Sequence, residues 1–179
     1  MLIIICPGIH DPILTENFIQ GLELSHYCDQ ILILPTEIYR PYSPSDVIEF
    51  LRKDQEIEFN GHSLVFISFS AGVVGAMGAA QKWQKQANIK AFFALDGWGV
   101  PLRGNFPIYR ISHDYFTHWS SALLGSGQEN FYAAPPVAHL DLWRSPETIN
   151  GRWQKGLGCS YQSNLKDFMT NLLQKCKEI

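Results

Sequence analysis

Runs of apolar, β-branched and aromatic residues recur along the chain at 2–6, 30–34, 64–69 and 90–95. Strands covered on both faces of a parallel sheet read this way, because neither face meets water. Weaker runs at 107–112 and 130–134 make six strand candidates. Between the runs the period turns helical. Leu14, Phe18 and Leu22 repeat at i, i+4 and i+8 in a helix expected over 13–25. Ser43-Pro44-Ser45-Asp46 opens a second helix. Ser43 can cap it, Pro44 suits its first turn, and Asp46 suits the positive end of its dipole. A third helix is expected over 71–85. A fourth, over 163–177, carries Leu165, Phe168, Met169, Leu172, Leu173 and Cys176 on one face. This alternation predicts an α/β fold: a three-layer α/β/α sandwich around a mostly parallel, six-stranded sheet, with residues 1–179 as one domain. The stretch 135–161 has little periodicity, and we expect an ordered loop bordering a site there.

Composition narrows the class. The chain has 179 residues, of which 46% are hydrophobic and 17% charged, so it can fold on its own core. A net charge of −3 leaves no basic footprint, and nucleic acid is not an expected partner. No apolar run reaches the roughly 20 residues of a membrane span. The N-terminal apolar stretch is strand-length, lacks a positive leader and stops at Pro7-Gly8, so a cytoplasmic location is expected. Four cysteines lie at 6, 28, 159 and 176 without a CxxC pair, and Cys6 and Cys176 fall on apolar faces as small hydrophobes.

The densest chemistry lies at Leu64-Val-Phe-Ile-Ser-Phe-Ser70-Ala-Gly72. A strand ends in Ser68-Phe69-Ser70-Ala71-Gly72, and a helix rich in small residues comes at once after it. A tight turn there lifts the Ser70 hydroxyl above the sheet edge and needs small residues two before and two after it. Ser68 and Gly72 meet that need. The helix N-terminus offers free N–H groups and a positive dipole end for a developing oxyanion. Gly75, Gly78, Ala79 and Ala80 are expected to let the helix lie against the central strand.

These residues resemble the nucleophile elbow G-x-S-x-G of the α/β-hydrolase family, with Ser68 in place of the first glycine. The resemblance implies a compact, cap-less member with a Ser-acid-His triad in that chain order. His139, after the last expected strand, matches the position of the base. Asp114, ending the strand before it, matches the acid, with Asp96 as the competing choice one strand earlier. The resemblance also implies an oxyanion hole from the backbone N–H groups of Ala71 and Ile9, the latter in the loop Pro7-Gly8-Ile9-His10-Asp11. The reaction implied is hydrolysis of a small-molecule carboxylic ester or thioester. A catalytically silent binding protein and an acyltransferase are the alternatives.

Aromatics in the strand-end loops point to an apolar substrate group. His10, Trp98, Phe116 and Trp143 are the expected pocket residues, with Tyr115 and Trp119 nearby. His26, His62 and His118 read as surface or loop residues. No cofactor is expected. Gly72, Gly75 and Gly78 are spaced along a helix rather than in a loop after the first strand, and no P-loop occurs. No metal is expected either. HxH, HExxH and CxxC are absent, and in His10-Asp11 and His113-Asp114 neighbouring side chains on a strand would diverge.

Overall fold

The computed structural model describes residues 1–53, 63–156 and 158–178. His62 and the end of the connection before the third strand lie outside them. The strands are β1 (Leu2–Cys6), β2 (Gln30–Ile33), β3 (Ser63–Phe69), β4 (Asn88–Leu95), β5 (Ile108–Ser112), β6 (Glu129–Ala133), β7 (Asn150–Lys155) and β8 (Cys159–Asn164). They form one sheet in the order β2-β1-β3-β4-β5-β6-β7-β8. The pairings from β2 through β6 are parallel, and β6-β7 and β7-β8 are antiparallel. The sheet is therefore eight-stranded, not six-stranded.

The two additional strands come mainly from the stretch read as loop. Residues 135–161 hold the short helix α5 (Asp141–Arg144), all of β7 and the start of β8. The sequences of these strands, NGRWQK and CSYQSN, are polar because they form an antiparallel edge. β7 is buried at alternate positions, Gly151 and Trp153, so it shows no continuous apolar run.

Alternation of side chains divides the sheet into two cores. Ile3, Ile5, Val65, Ile67 and Phe69 face one way, with α1 (Ile13–Gly21) and α6 (Leu165–Glu178) contributing Phe18, Phe168 and Leu172. Leu2, Ile4, Leu64 and Phe66 face the other, with α2 (Pro44–Lys53) and α3 (Ala71–Trp83) contributing Val47, Leu51, Val73 and Ala80. All five residues of β1 are buried. Each such aliphatic side chain contributes about 1.5–3 kcal/mol on leaving water. Cys6 and Cys176 are buried apolar residues, and burial raises the Cys6 thiol to about 12.

The first helix is shorter than its periodicity suggests. Glu23 takes a left-handed conformation (φ 53°), which ends the α-helical run before a single 3-10 turn at Leu24–His26. Gly75 and Gly78 pack differently from expectation. A Cβ on Gly75 would lie 2.1 Å from the Pro41 carbonyl oxygen, and one on Gly78 would lie 2.5 Å from the Pro44 ring. These two glycines let α3 approach the entry to α2, not the central strand. Of the three glycines at 72, 75 and 78, Gly72 is the one on the strand side: its Cβ would stand 2.1 Å from the Cys6 carbonyl oxygen, and Ala79 and Ala80 belong to the core shared with the strands, as expected. Among the described residues no helix is long and apolar enough to cross a membrane.

Candidate active site

The parallel strands β3, β4 and β5 end side by side, and the segments leaving their C-terminal ends meet in one cleft of about 470 Å³. Ser70 comes directly after β3 and occupies the N-terminal boundary position of α3. Its backbone is at φ 53°, ψ −122°, a region that a residue with a Cβ adopts only under constraint. Its N–H donates to the Leu95 carbonyl at 2.9 Å, which ties the turn to β4. Its side chain makes no capping bond to α3. The amide of Ala71 begins the helix, where N–H groups lack intrahelical acceptors.

Ser68, two residues before Ser70, is accommodated inside the strand. It is fully buried, and its hydroxyl donates to the Phe93 carbonyl at 3.0 Å. Across from Ser70 lies the loop after β1. A Cβ on Gly8 would stand 3.0 Å from Ser70 Cβ, tighter than an ordinary contact, so glycine favours this close approach of the loop. Ile9, next in that loop, turns its side chain outward.

His139 enters from the segment after β6. Its ring stacks on Phe69, the residue before Ser70, at 4.6 Å between centroids. Phe69 stacks in turn on Trp143 at 5.0 Å, and Trp143 on Phe18 at 3.8 Å. This column of rings runs from the core to the imidazole. Val137 N–H bonds the His113 carbonyl at 3.1 Å and anchors the same segment to the end of β5.

The carboxylate facing His139 is that of Asp96. His139 Nδ1 lies 2.7 Å from Asp96 Oδ2. Asp96 is buried, and its left-handed backbone (φ 49°), held by the Asp96 N–H bond to Ile111 O at 2.8 Å, turns its side chain back over the sheet edge. Asp114, expected in this role, does something else. Its Oδ1 accepts from Thr117 N–H at 2.6 Å and caps α4 (Tyr115–Ala122). Both residues lie just past strands that pair with each other. The helix that begins directly after Asp114 takes its carboxylate for a cap.

His113 is the residue to which the motif assigns no role. Its Nδ1 also lies 2.7 Å from Asp96 Oδ2, and its backbone N–H donates to Asp96 Oδ1 at 2.9 Å. Its Nε2 is 3.5 Å from Asp114 Oδ2. Burial works against the Asp96 charge, but the bonds from the two imidazoles prevail and hold its carboxyl below the usual range. The same hydrogen bond raises His113. Asp96, His113 and His139 together present three possible metal-ligand atoms within 4.8 Å of one another. They arrive from three separate segments, so no local spacing could announce the group.

The expected pocket residues divide. Trp98 and Phe116 line the cleft and are exposed at 68% and 67%. Trp143 does not line it; it is buried in the core, with its indole N–H on Thr15 Oγ1 at 3.1 Å. His10 lines a separate depression beside Pro7 and Pro35, and its ring lies 5.7 Å from Phe69. His118 is not a surface residue. It lies on the buried face of α4 with Nε2 at 2.9 Å from Gln154 Oε1, while His26 is exposed as expected. No protein-family model matches the chain, and no curated protein matches it either.

Proposed function

We propose that this protein is a serine hydrolase of α/β-hydrolase type that cleaves a carboxylic ester or thioester, with Ser70 as nucleophile, His139 as base and Asp96 as the acid that orients it. The observation that carries the reading is the constrained Ser70 turn sharing one cleft with an imidazole whose Nδ1 is engaged by a buried carboxylate. A serine hydroxyl is a weak nucleophile and needs such a base, itself oriented by a third group. The mostly parallel sheet with helices on both faces supports the family resemblance, as does the elbow between β3 and α3.

The chemistry is set by the tautomer. With the proton on Nδ1 donated to Asp96, the lone pair of His139 is on Nε2 and takes the Ser70 proton. Ser70 Oγ bonds to the substrate carbonyl carbon. The oxyanion receives the N–H groups of Ala71 and Ile9. The imidazolium, stabilised by Asp96, returns its proton to the leaving oxygen or sulfur as that bond breaks. Water repeats the sequence on the acyl-enzyme and frees Ser70. Trp98 and Phe116 give the cleft an apolar rim for the acyl or alcohol group.

The test is labelling with a fluorophosphonate probe. The wild-type protein becomes labelled, and Ser70→Ala, still folded by circular dichroism, does not. Labelling that persists in Ser70→Ala removes this serine from the role. No labelling of the wild type, together with no hydrolysis of a panel of esters of varied acyl length, favours a binding protein on the same scaffold.

A further inference from the structure

We infer that Asp96, His113 and His139 form a binding site for a single divalent transition-metal ion of the zinc class, and that its occupancy switches the hydrolase off. The switch rests on the reading of His139 as the base; the site itself does not.

Two imidazole nitrogens and one carboxylate oxygen are a donor set that zinc accepts in three-ligand sites, with a fourth position left to solvent. Here both Nδ1 atoms converge on the same Asp96 oxygen, each at 2.7 Å. In tetrahedral coordination with metal–ligand distances of about 2.0–2.1 Å, ligand atoms stand roughly 3.3 Å apart, so these must part by about half an ångström. The site can allow that. The His139 and His113 side chains are 42% and 26% exposed, whereas Asp96 is held in place through Oδ1 by the His113 amide. An anchored carboxylate with two partly solvent-facing rings is an arrangement that favours monodentate ligation, and the cleft provides the entry path.

The consequence for catalysis lies in proton placement. A metal ion binds an imidazole through a lone pair. If it takes the lone pair of His139 Nδ1, the single ring proton must reside on Nε2. The Nδ1 proton of the free enzyme is released to solvent, and Nε2 is protonated in its place. The nitrogen that must accept the Ser70 proton is then occupied. The Asp96 charge is also engaged by the metal and no longer stabilises an imidazolium. His113 completes the donor set.

The experiment uses the full chain, stripped with a chelator and titrated with Zn²⁺ by calorimetry. The absorption spectrum of the Co²⁺ form serves as a second readout. One ion per chain is expected, with a Co²⁺ spectrum of a site containing nitrogen ligands. In His113→Gln the affinity should fall by about 30-fold or more, since loss of even an outer-shell partner of a ligand costs about 10–100-fold and His113 is itself a ligand. Fluorophosphonate labelling of the wild type should fall at least about 10-fold with saturating Zn²⁺ and return with chelator. The ratio of labelling with and without Zn²⁺ is read within each variant, so the basal rate of His113→Gln does not enter. In that variant the ratio should approach one at the same Zn²⁺ concentration. Absence of binding to the wild type, or equal affinity in His113→Gln, overturns the site. Binding that leaves wild-type labelling unchanged overturns the switch. Absence of labelling in metal-free protein with binding intact leaves the site standing and removes the hydrolase reading instead.

Discussion

Replacing Asp96 with asparagine separates the two candidate acids more sharply than any other change. Asparagine keeps an oxygen for the His113 amide, which bonds Asp96 Oδ1 at 2.9 Å, so the turn after β4 retains its anchor. At the other position an NH₂ group replaces Oδ2 and meets His139 Nδ1 at a distance that is now 2.7 Å. Two donors cannot share that contact. The imidazole must either swing away or move its proton to Nε2, where it blocks the transfer from Ser70. In the serine-protease template the corresponding exchange lowers kcat by about 10⁴, equivalent to about 5.5 kcal/mol of transition-state stabilisation. We expect a loss of about 10³–10⁴ in the second-order labelling rate and in ester hydrolysis for Asp96→Asn. Asp114→Asn should behave differently, because asparagine caps a helix about as well as aspartate and can still accept from the Thr117 amide. Its rate should stay within about 5-fold of wild type and its stability within a few tenths of a kcal/mol. Asp114→Ala should lose about 1 kcal/mol of stability in urea unfolding, with little further effect on rate. A large rate loss in Asp114→Asn with a near-normal Asp96→Asn would refute the assignment of the acid.

The same geometry sets three further outcomes. Ser70→Gly should be more stable than Ser70→Ala by about 1 kcal/mol in urea unfolding, since only glycine relieves a backbone at φ 53°, ψ −122°; equal stabilities would mean that the turn is unstrained. Gly72→Ala should cost at least about 2 kcal/mol, because its Cβ would meet the backbone oxygens of Cys6 at 2.1 Å and Pro7 at 2.5 Å, neither of which can rotate away; an unchanged unfolding midpoint would contradict the close approach of α3 to β1. Trp143→Ala should cost about 3–5 kcal/mol and also slow labelling, since the indole supports Phe69 and through it His139; a loss below about 1 kcal/mol, measured in the same way, would contradict its place in the core.

Much of this protein can be read in one dimension because the relevant physics is local. Parallel strands shielded on both sides must be apolar throughout, so β1, β3 and β4 stand out in the sequence to within two residues of their ends. The Ser70 turn is equally local: strand, small residue, serine, small residue, helix. β7 and β8 lack such a signal because an edge hairpin can be polar on its open face, and its one large buried anchor, Trp153, looks like any loop tryptophan. Trp143 and His10 lie away from their expected places for a related reason. Loop position suggests a rim, but only packing shows that Trp143 lies between Phe18 and Phe69.

Local residue types determined that a serine would be presented at a strand-to-helix bend above a buried parallel sheet, because that depends on residues within a few positions of Ser70. Which carboxylate meets the imidazole was decided only by the tertiary structure. Asp96 and Asp114 both lie just past neighbouring strands and look alike in the sequence. Their side chains part because a helix starts immediately after Asp114 and uses its oxygen, whereas Asp96 turns left-handed and inward beneath two histidines brought from the ends of β5 and β6. Interactions across 17 and 43 residues of chain leave no trace in spacing, and only the folded sheet brings these groups together.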